Sequence, residues 1–267
     1  MKKLISVIMI LLLFLFAGCS NTDVSNESAN QANQNHIPAE ITVSAAASLT
    51  DALEDLVTDF NQQYPNVKVT YNFGSSGSLQ QQIEQGAPAD VFFSAGQKQM
   101  TALKDAGLML DTSIKNILQN QVVLIMPNDA KAIDSFEKIT DASIGKIAVG
   151  DPDSVPAGQY AAEVLKSLNL TDIIADKLVF AKDVREVLTW VETKNVDVGV
   201  VYATDALISD KVSVVATAPQ DSHKAIVYPV GIVKASANQE AAQCFVDFLY
   251  SDTAKEIFTQ YGFQIVD

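Results

Sequence analysis

Residues 41–56, ITVSAAASLTDALEDL, contain the pattern that decides the fold. The stretch starts with the alternation of a β-strand, passes through three alanines and Ser48, and becomes a helix with apolar residues along one face. Small residues at such a junction leave space beside the unpaired N–H groups that open a helix, which favours a ligand over a packed core. Ser48 stands three residues before Asp51, a spacing that predicts Ser48 as the N-cap of this helix.

Strand-like and helix-like segments alternate along the rest of the chain. KVTYNFG leads into SLQQQIEQG, and KLVFAKD leads into VREVLTWVETK. This alternation predicts an α/β protein with largely parallel sheets covered on both faces. The segments outnumber what one small sheet needs, so we expect two lobes: lobe 1 from residues 40–121 and 226–267, and lobe 2 from residues 122–225. Ligands of open α/β sheets bind beyond the carboxyl ends of the strands, which here is a cleft between the lobes.

The first residues predict a separate export region. Residues 1–18 combine two lysines with a short apolar run, the pattern of a secretory signal peptide. The ending at Cys19 resembles the lipobox of bacterial lipoproteins, although Phe16 stands where that motif usually carries a smaller aliphatic residue. We therefore expect a lipid on Cys19, a flexible tether over residues 19–39, and a protein anchored to the outer face of the cell membrane, or else periplasmic. Ordinary cleavage and an uncleaved anchor are the alternatives.

Composition argues against several classes of protein. The 267 residues are 48% hydrophobic, which is enough for a packed core and argues against disorder. Asp and Glu outnumber Lys and Arg by 32 to 18, for a net charge of -14, whereas a nucleic-acid binder needs a clustered basic surface. The sequence shows no His/Cys metal motif and no P-loop, so we expect no cofactor and no metal site. Cys244, the other cysteine, is predicted to be a buried hydrophobic residue without a disulfide partner.

Five strand-to-helix junctions present hydroxyls, small residues and helix starts. They contain Ser48, Ser76 in GSSGS, Ala157 in VPAG, Val184 in DVRE and Tyr202 in VVYA. Pro156 suits the first turn of its helix, and Asp183 is predicted to cap the next one. Four helix starts contribute roughly +0.5 elementary charge each, so together they could complement a dianion without a lysine or an arginine. Taken singly, each residue is commoner as a cap, a helix starter or a core tyrosine, and only their joint occurrence indicates a site.

Several motifs resemble the molybdate-binding proteins that serve ABC importers. They are AAASLTDAL, FGSSGSLQQQIEQGAPADVFFSA, AVGDPDSVPAGQYA, DVREVLTWVE, GVVYATDA, PQDSHKAIVYPV and IFTQYGF, in order from about residue 41 to the C-terminus. The resemblance implies a two-lobed periplasmic-binding-protein-like fold (type II) that closes on a tetrahedral oxyanion in the interlobe cleft. It also implies high-affinity binding of molybdate and of tungstate, with delivery to an ABC transporter permease.

The same resemblance implies the ligand donors. They are two hydroxyls with their amides, two main-chain N–H groups and one phenol, from Ser48, Ser76, Ala157, Val184 and Tyr202. The serines would lie on lobe 1 and the other three residues on lobe 2, so that a bound anion bridges the lobes and closes a hinge. Gly77 stands where the family often has a third serine or a similar residue, which predicts a looser loop. We expect the protein to be a monomer.

Three rival interpretations remain open. One rival is a binding protein for another solute: sulfate, phosphate or a small organic acid. Sulfate or another tetrahedral oxyanion would use the same donors, since sulfate and molybdate differ mainly in bond length. Phosphate carries a proton near neutral pH and would want an acidic acceptor that these positions lack. A serine hydrolase is less consistent, because GSSGS is not G-x-S-x-G and His223 is expected at the surface or in a turn. A surface adhesin gives no reason for the repeated small-residue junctions, so we expect a binding protein and not an enzyme.

Overall fold

The computed structural model describes residues 39–131 and 133–266. The predicted signal peptide, the predicted lipidation at Cys19 and the predicted tether up to residue 38 lie outside the described residues. No helix in the two described ranges is long and apolar enough to cross a membrane.

Strands and helices alternate along the described chain, as the sequence predicts. The strands are β1 Ala39–Ala46, β2 Val67–Gly74, β3 Val91–Phe93, β4 Lys115–Asn120, β5 Val122–Pro127, β6 Ile147–Gly150, β7 Leu178–Ala181, β8 Val198–Tyr202, β9 Val212–Thr217, β10 Ile226–Ile232 and β11 Gln264–Ile265. The helices are α1 Thr50–Gln63, α2 Ser76–Glu84, α3 Gln97–Asp105, α4 Pro156–Ser167, α5 Val184–Glu192, α6 Ala203–Leu207, α7 Gln239–Phe248 and α8 Asp252–Gln260.

The strands form two sheets, and each sheet is the centre of one lobe. The first lobe has a six-stranded sheet in the order β11-β4-β10-β3-β1-β2, and the second lobe has a five-stranded sheet in the order β7-β6-β8-β5-β9. β1 pairs in parallel with β2 and β3, and β6 pairs in parallel with β7 and β8. β10, β11, β5 and β9 pair antiparallel with their neighbours. The expectation of largely parallel sheets is therefore wrong, and both sheets are mixed.

The antiparallel strands are found where the chain passes between the two sheets. β4 belongs to the first sheet and β5 to the second, with Gln121 alone between them. The chain returns through the loop between Thr217, the end of β9, and Ile226, the start of β10. The strands that flank the two passages, β4, β5, β9 and β10, all form antiparallel pairs within their own sheets. Together with the parallel pairs of β1 and β6, they make both sheets mixed.

Apolar helix faces pack on the sheets and form the core. α1 buries Leu53, Leu56 and Phe60, as its predicted periodicity requires. The rings of Phe60 and Phe245 pack edge to face, with their centroids 5.3 Å apart. Burial of each such side chain contributes about 1.5–3 kcal/mol. Cys244 is buried on α7, so the prediction that this residue is buried is confirmed.

Helix starts mostly follow the sequence, with one exception. Pro156 is the first residue of α4, and the carboxylate of Asp183 accepts the Glu186 N–H at 2.9 Å, so both predictions are confirmed. The prediction that Ser48 caps α1 is wrong. A 3₁₀ turn over Ala47–Leu49 precedes that helix, and its N-cap makes no side-chain hydrogen bond. The hydroxyl of Ser48 has a partner in the core instead, which is described below.

Candidate functional site

A cavity lies between the lobes, where strands from both sheets end and helices begin. It has a volume of about 210 Å³, part of which is open to solvent. Its lining residues are Ala46, Ala47, Ser48, Gly74, Ser75, Ser76 and Ala95 from the first lobe, and Val155, Pro156, Ala157, Asp183, Val184 and Tyr202 from the second. The structure thus brings all five predicted ligand-binding residues to one cavity, and all five are buried.

The first lobe contributes two serine hydroxyls whose oxygens already have protein partners. Ser76 is the first residue of α2, and its Oγ accepts the N–H of Ala95 at 2.9 Å. The Oγ of Ser48 lies 3.0 Å from the hydroxyl oxygen of Tyr228, a fully buried residue of β10. Because the oxygen of Ser76 accepts from the protein, its own O–H remains available to donate into the cavity.

The second lobe contributes two helix starts. Ala157 is the second residue of α4, and Val184 is the first residue of α5. The first four N–H groups of a helix have no partner inside that helix and lie at the positive end of its dipole. Ala157 and Val184 therefore place backbone donors on the wall that faces the two serines.

Tyr202 ends β8 and places a phenol in the cavity wall. The residue is 1% exposed, and its hydroxyl has no hydrogen-bond partner among the described residues. Burial, with Tyr228 nearby, raises the pKa of Tyr202 well above its ordinary value, so the phenol stays protonated. A buried hydroxyl without a partner is costly in a folded protein, and an acceptor inside the cavity would remove that cost.

No lysine or arginine is among the described residues that line the cavity. Arg185 lies beside it, but its guanidinium is paired with Asp51 of the first lobe at 2.5 Å and with Asp205 of the second at 2.8 Å. Asp205 is fully buried, and burial raises its pKa to about 6 although Arg185 acts in the opposite direction. Asp183 also lines the cavity, where its carboxylate caps α5. The cavity therefore offers neutral donors and no free cation.

The lobes touch each other around the cavity. The N–H of Gly77 donates to the carbonyl of Ser154 at 2.9 Å, and the side-chain amide of Gln99 donates to that of Gln159 at 3.3 Å. Together with the pair between Arg185 and Asp51, these contacts hold the cleft closed. The expectation of a looser loop at Gly77 is wrong, because the N–H of Gly77 is bonded across the cleft and the residue is buried.

Ser222 and His223, the neighbours that suggest a hydrolase, each bond to a backbone carbonyl group in the described structure. The hydroxyl of Ser222 donates to the carbonyl of Pro219, and Nδ1 of His223 lies 2.7 Å from the carbonyl oxygen of Lys224, so these neighbours form no catalytic relay. No group of three or more His, Cys, Asp or Glu side chains in residues 39–131 and 133–266 could hold a metal ion.

Sequence reasoning missed three features of the site. Asp183 is in the wall as well as at the helix cap, Arg185 joins the lobes through two carboxylates, and Tyr228 supports Ser48 from behind. Asp183 and Arg185 both belong to the motif DVRE. Because the sequence predicts that Asp183 caps a helix at the cavity, its place in the wall could have been predicted as well. Nothing local marks Tyr228, which is 180 positions from its partner.

Comparison with known proteins places the chain in a family. It matches the family described as bacterial extracellular solute-binding protein over residues 41–264. The chain belongs to this family. This solute-binding protein is 44% identical over 250 residues to the putative ABC transporter substrate-binding lipoprotein YvgL of Bacillus subtilis, with 93% of each chain covered. It is 44% identical over 230 residues to the molybdate-binding protein ModA of Haemophilus influenzae, covering 84% of this chain and 90% of that protein.

A solved structure supports the same assignment. The substrate-binding domain of a putative molybdenum ABC transporter from Clostridium difficile matches this solute-binding protein with a TM-score of 0.67 and 47% identity, over 86% of this chain and all of that one. The prediction of a two-lobed periplasmic-binding-protein-like fold is confirmed. Membership of an extracellular solute-binding family indicates an exported transport protein, periplasmic or membrane-associated, and not an enzyme. The serine-hydrolase and adhesin interpretations are therefore wrong.

Proposed function

We propose that this protein binds molybdate in the cavity between its lobes and delivers it to the membrane permease of an ABC importer. Relatives at 44% and 43% identity are named molybdate-binding proteins, which supports the choice of ligand. The single observation that carries the proposal is the hydroxyl of Tyr202. It belongs to a residue of the cavity wall, is buried, and has no partner in the described protein.

The ligand donors in this proposal are Ser48, Ser76, Ala157, Val184 and Tyr202. The two serines supply their hydroxyls and amides, Ala157 and Val184 their main-chain N–H groups, and Tyr202 its phenol. A hydrogen bond to a charged group contributes about 1.5–3 kcal/mol. The donors come from both lobes, so only a ligand with acceptors on opposite sides satisfies them together. A tetrahedral oxyanion has four such oxygens.

The charge of the anion is balanced by peptide dipoles. Arg185 does not line the cavity, and its guanidinium is paired with Asp51 and Asp205. The starts of α2, α4 and α5 each contribute roughly +0.5 elementary charge at short range. The charges that make up the net charge of -14 lie mostly farther from the anion. Water and salt screen charges that are separated by more than about 10 Å. Short-range dipoles therefore outweigh the distant charges.

The same donors explain which anions compete. Phosphate keeps a proton near neutral pH and needs an acceptor. The oxygens of Ser76 and Ser48 already have partners inside the protein, and the carboxylate of Asp183 in the wall already accepts the N–H of Glu186 as the cap of α5. Sulfate has no such proton, so the cavity can exclude it only by size. Tungstate has nearly the shape and charge of molybdate, and we propose that it binds as well.

Binding and closure are coupled in this proposal. The ligand bridges lobe 1, residues 40–121 and 226–267, and lobe 2, residues 122–225, so it favours the closed form over an open one. The closed monomer is then the form that the permease recognises. We propose that a lipid on Cys19 anchors the protein to the outer face of the membrane, where the tether leaves it free to reach the transporter.

Calorimetric titration with molybdate tests the site. Ser48→Ala and Tyr202→Phe each remove one donor to a charged ligand, and each is expected to lower the affinity more than tenfold. Tyr250→Phe is the matched control, because its hydroxyl contacts the carbonyl of Asn116 away from the cavity. Unchanged affinity in both site variants would refute the assigned donors. If sulfate but not molybdate raises the thermal stability of the wild type, molybdate is refuted as the ligand.

A further inference from the structure

A chain of buried polar groups runs from the passage between the lobes to the cavity. The Nδ2 of Asn120, the last residue of β4, lies 3.1 Å from the hydroxyl oxygen of Tyr228, which in turn lies 3.0 Å from the Oγ of Ser48. Nδ2 of Asn120 also donates to the hydroxyl of Thr204 at 2.9 Å. All four side chains are buried, so none of these bonds is exchanged freely with water.

The direction of the hydrogen bonds in this chain is fixed at Asn120. Its Oδ1 accepts the backbone N–H of Gln121 at 2.9 Å, so that end of the amide is the oxygen and the other end is the NH₂ group. An NH₂ group has two hydrogens and no acceptor capacity. One hydrogen goes to Thr204 and the other to Tyr228, so the oxygen of Tyr228 is an acceptor here.

The proton of Tyr228 must then be donated to its other partner. That partner is the Oγ of Ser48, and a phenol is a stronger donor than an alkyl hydroxyl, so the direction from Tyr228 to Ser48 is favoured. Burial raises the pKa of Tyr228 well above its ordinary value, which keeps the phenol protonated. The O–H of Ser48 is therefore left to donate into the cavity.

We propose that Asn120 and Tyr228 are positioning residues that fix Ser48 as a hydrogen-bond donor, and thereby make the cavity select fully deprotonated oxyanions. Neither residue lines the cavity. Ser76 reaches the same state by another route, since its Oγ accepts the N–H of Ala95. An anion that carries a proton needs an acceptor. Both serines are held in the donor state, and the carboxylate of Asp183 in the wall already accepts the N–H of Glu186. This inference rests on the proposed function, because it assumes that Ser48 contacts the ligand.

A double-mutant cycle with molybdate as the probe separates positioning from packing. Tyr228→Phe keeps the ring and removes only the hydroxyl, and is expected to lower the affinity for molybdate about tenfold. In a Ser48→Ala background the same change is expected to lower it less than about twofold, because there is no serine left to orient. Tyr71→Phe is the matched control, since it removes a hydroxyl bonded to the carbonyl of Leu53 in the same lobe, away from the cavity.

A second variant reverses the direction of the hydrogen bonds between residue 120, Tyr228 and Ser48. It also covers the case in which Tyr228→Phe does not fold. In Asn120→Asp the NH₂ donor becomes an acceptor, so Tyr228 donates to residue 120 and Ser48 donates to Tyr228. The lone pairs of Ser48 then face the anion, and the loss of affinity for molybdate should exceed that of Tyr228→Phe. The excess should shrink in a Ser48→Ala background, because the added negative charge acts in both backgrounds and only the reversal needs the serine.

Selectivity gives a third readout that a purely structural role would not move. Titration with inorganic phosphate should show no loss, or a gain, in Tyr228→Phe, because Ser48 can then accept the proton of the anion. Equal effects of Tyr228→Phe with and without Ser48, or no effect at all, would overturn the positioning role. Full affinity in Ser48→Ala would instead refute the proposed ligand site itself, so the two failures are distinguishable.

Discussion

Gly77→Ala tests whether closure of the lobes is needed for binding. Gly77 is the second residue of α2 in the first lobe, and its N–H donates to the carbonyl of Ser154 in the second lobe at 2.9 Å. A Cβ at this position would lie 2.8 Å from the Cα of Ser154 and closer still to its carbonyl oxygen, whereas ordinary contact begins at 3.4 Å. The lobes can accommodate an alanine only by moving apart.

The size of the effect follows from that separation. Widening the gap by about 1 Å stretches a hydrogen bond of about 2.9 Å beyond the limit of about 3.5 Å, so at least one donor to the anion is lost. Losing one donor to a charged group costs about 1.5–3 kcal/mol, which lowers the affinity for molybdate about 10- to 150-fold. The anion-free protein should respond in the opposite direction. Alanine is favoured over glycine in a helix by up to about 1 kcal/mol, and an open cleft contains no clash.

Titration calorimetry measures the affinity, and thermal unfolding without the anion measures the stability. Gly158→Ala is the matched control, because its Cβ would lie 2.5 Å from the carbonyl carbon of Gly150, within the second lobe. That variant should lose stability with or without the anion. Wild-type affinity in Gly77→Ala would show that the contact with Ser154 is not part of the binding state, and the coupling of closure to binding would be wrong.

Two further predictions concern groups beside the cavity. Asp205 has a pKa raised by burial to about 6, so the folded protein takes up a proton more readily than the unfolded chain between about pH 4 and 6. The free energy of unfolding of the wild type relative to Asp205→Asn should therefore rise as the pH falls through that window, by up to about 3 kcal/mol. Thermal unfolding measures this difference, and a difference that does not change with pH would contradict the prediction. Gln159→Ala removes the side-chain contact with Gln99 between the lobes. Calorimetry should show a two- to tenfold loss of affinity for molybdate. A loss of thermal stability without the anion would show instead that the contact serves folding.

Local patterns were enough to predict most of the fold and the walls of the site. Apolar periodicity identifies α1, and the small residues that follow β1 identify a junction open to a ligand. The cap at Asp183 and the first-turn Pro156 depend on neighbours within a few residues, so the sequence contains all that is needed. Each of these features is decided by short-range sterics and hydrogen bonding.

The features that were wrong or missed depend on residues far apart in the chain. Ser48 has the sequence of a cap, but Tyr228 provides its hydroxyl with a partner in the core. Gly77 has the sequence of a flexible turn, but Ser154 of the other lobe packs against it. The register of the mixed sheets likewise depends on strands from distant segments. Such contacts follow from tertiary packing, which residue spacing does not encode.

The charges nearest the cavity show why the hydrogen-bond donors must carry the binding energy. Asp51, Asp183 and Asp205 lie around a single cation, Arg185, which is already paired with two of them. When all are ionised, the sum of these charges is negative, so full charges oppose a dianion rather than attract it. The attraction must come from groups that act only at contact distance, namely oriented hydroxyls and helix N–H groups. Within the first lobe the serine hydroxyls are oriented by Ala95 and Tyr228, so binding needs closure of the lobes but little further ordering of these groups.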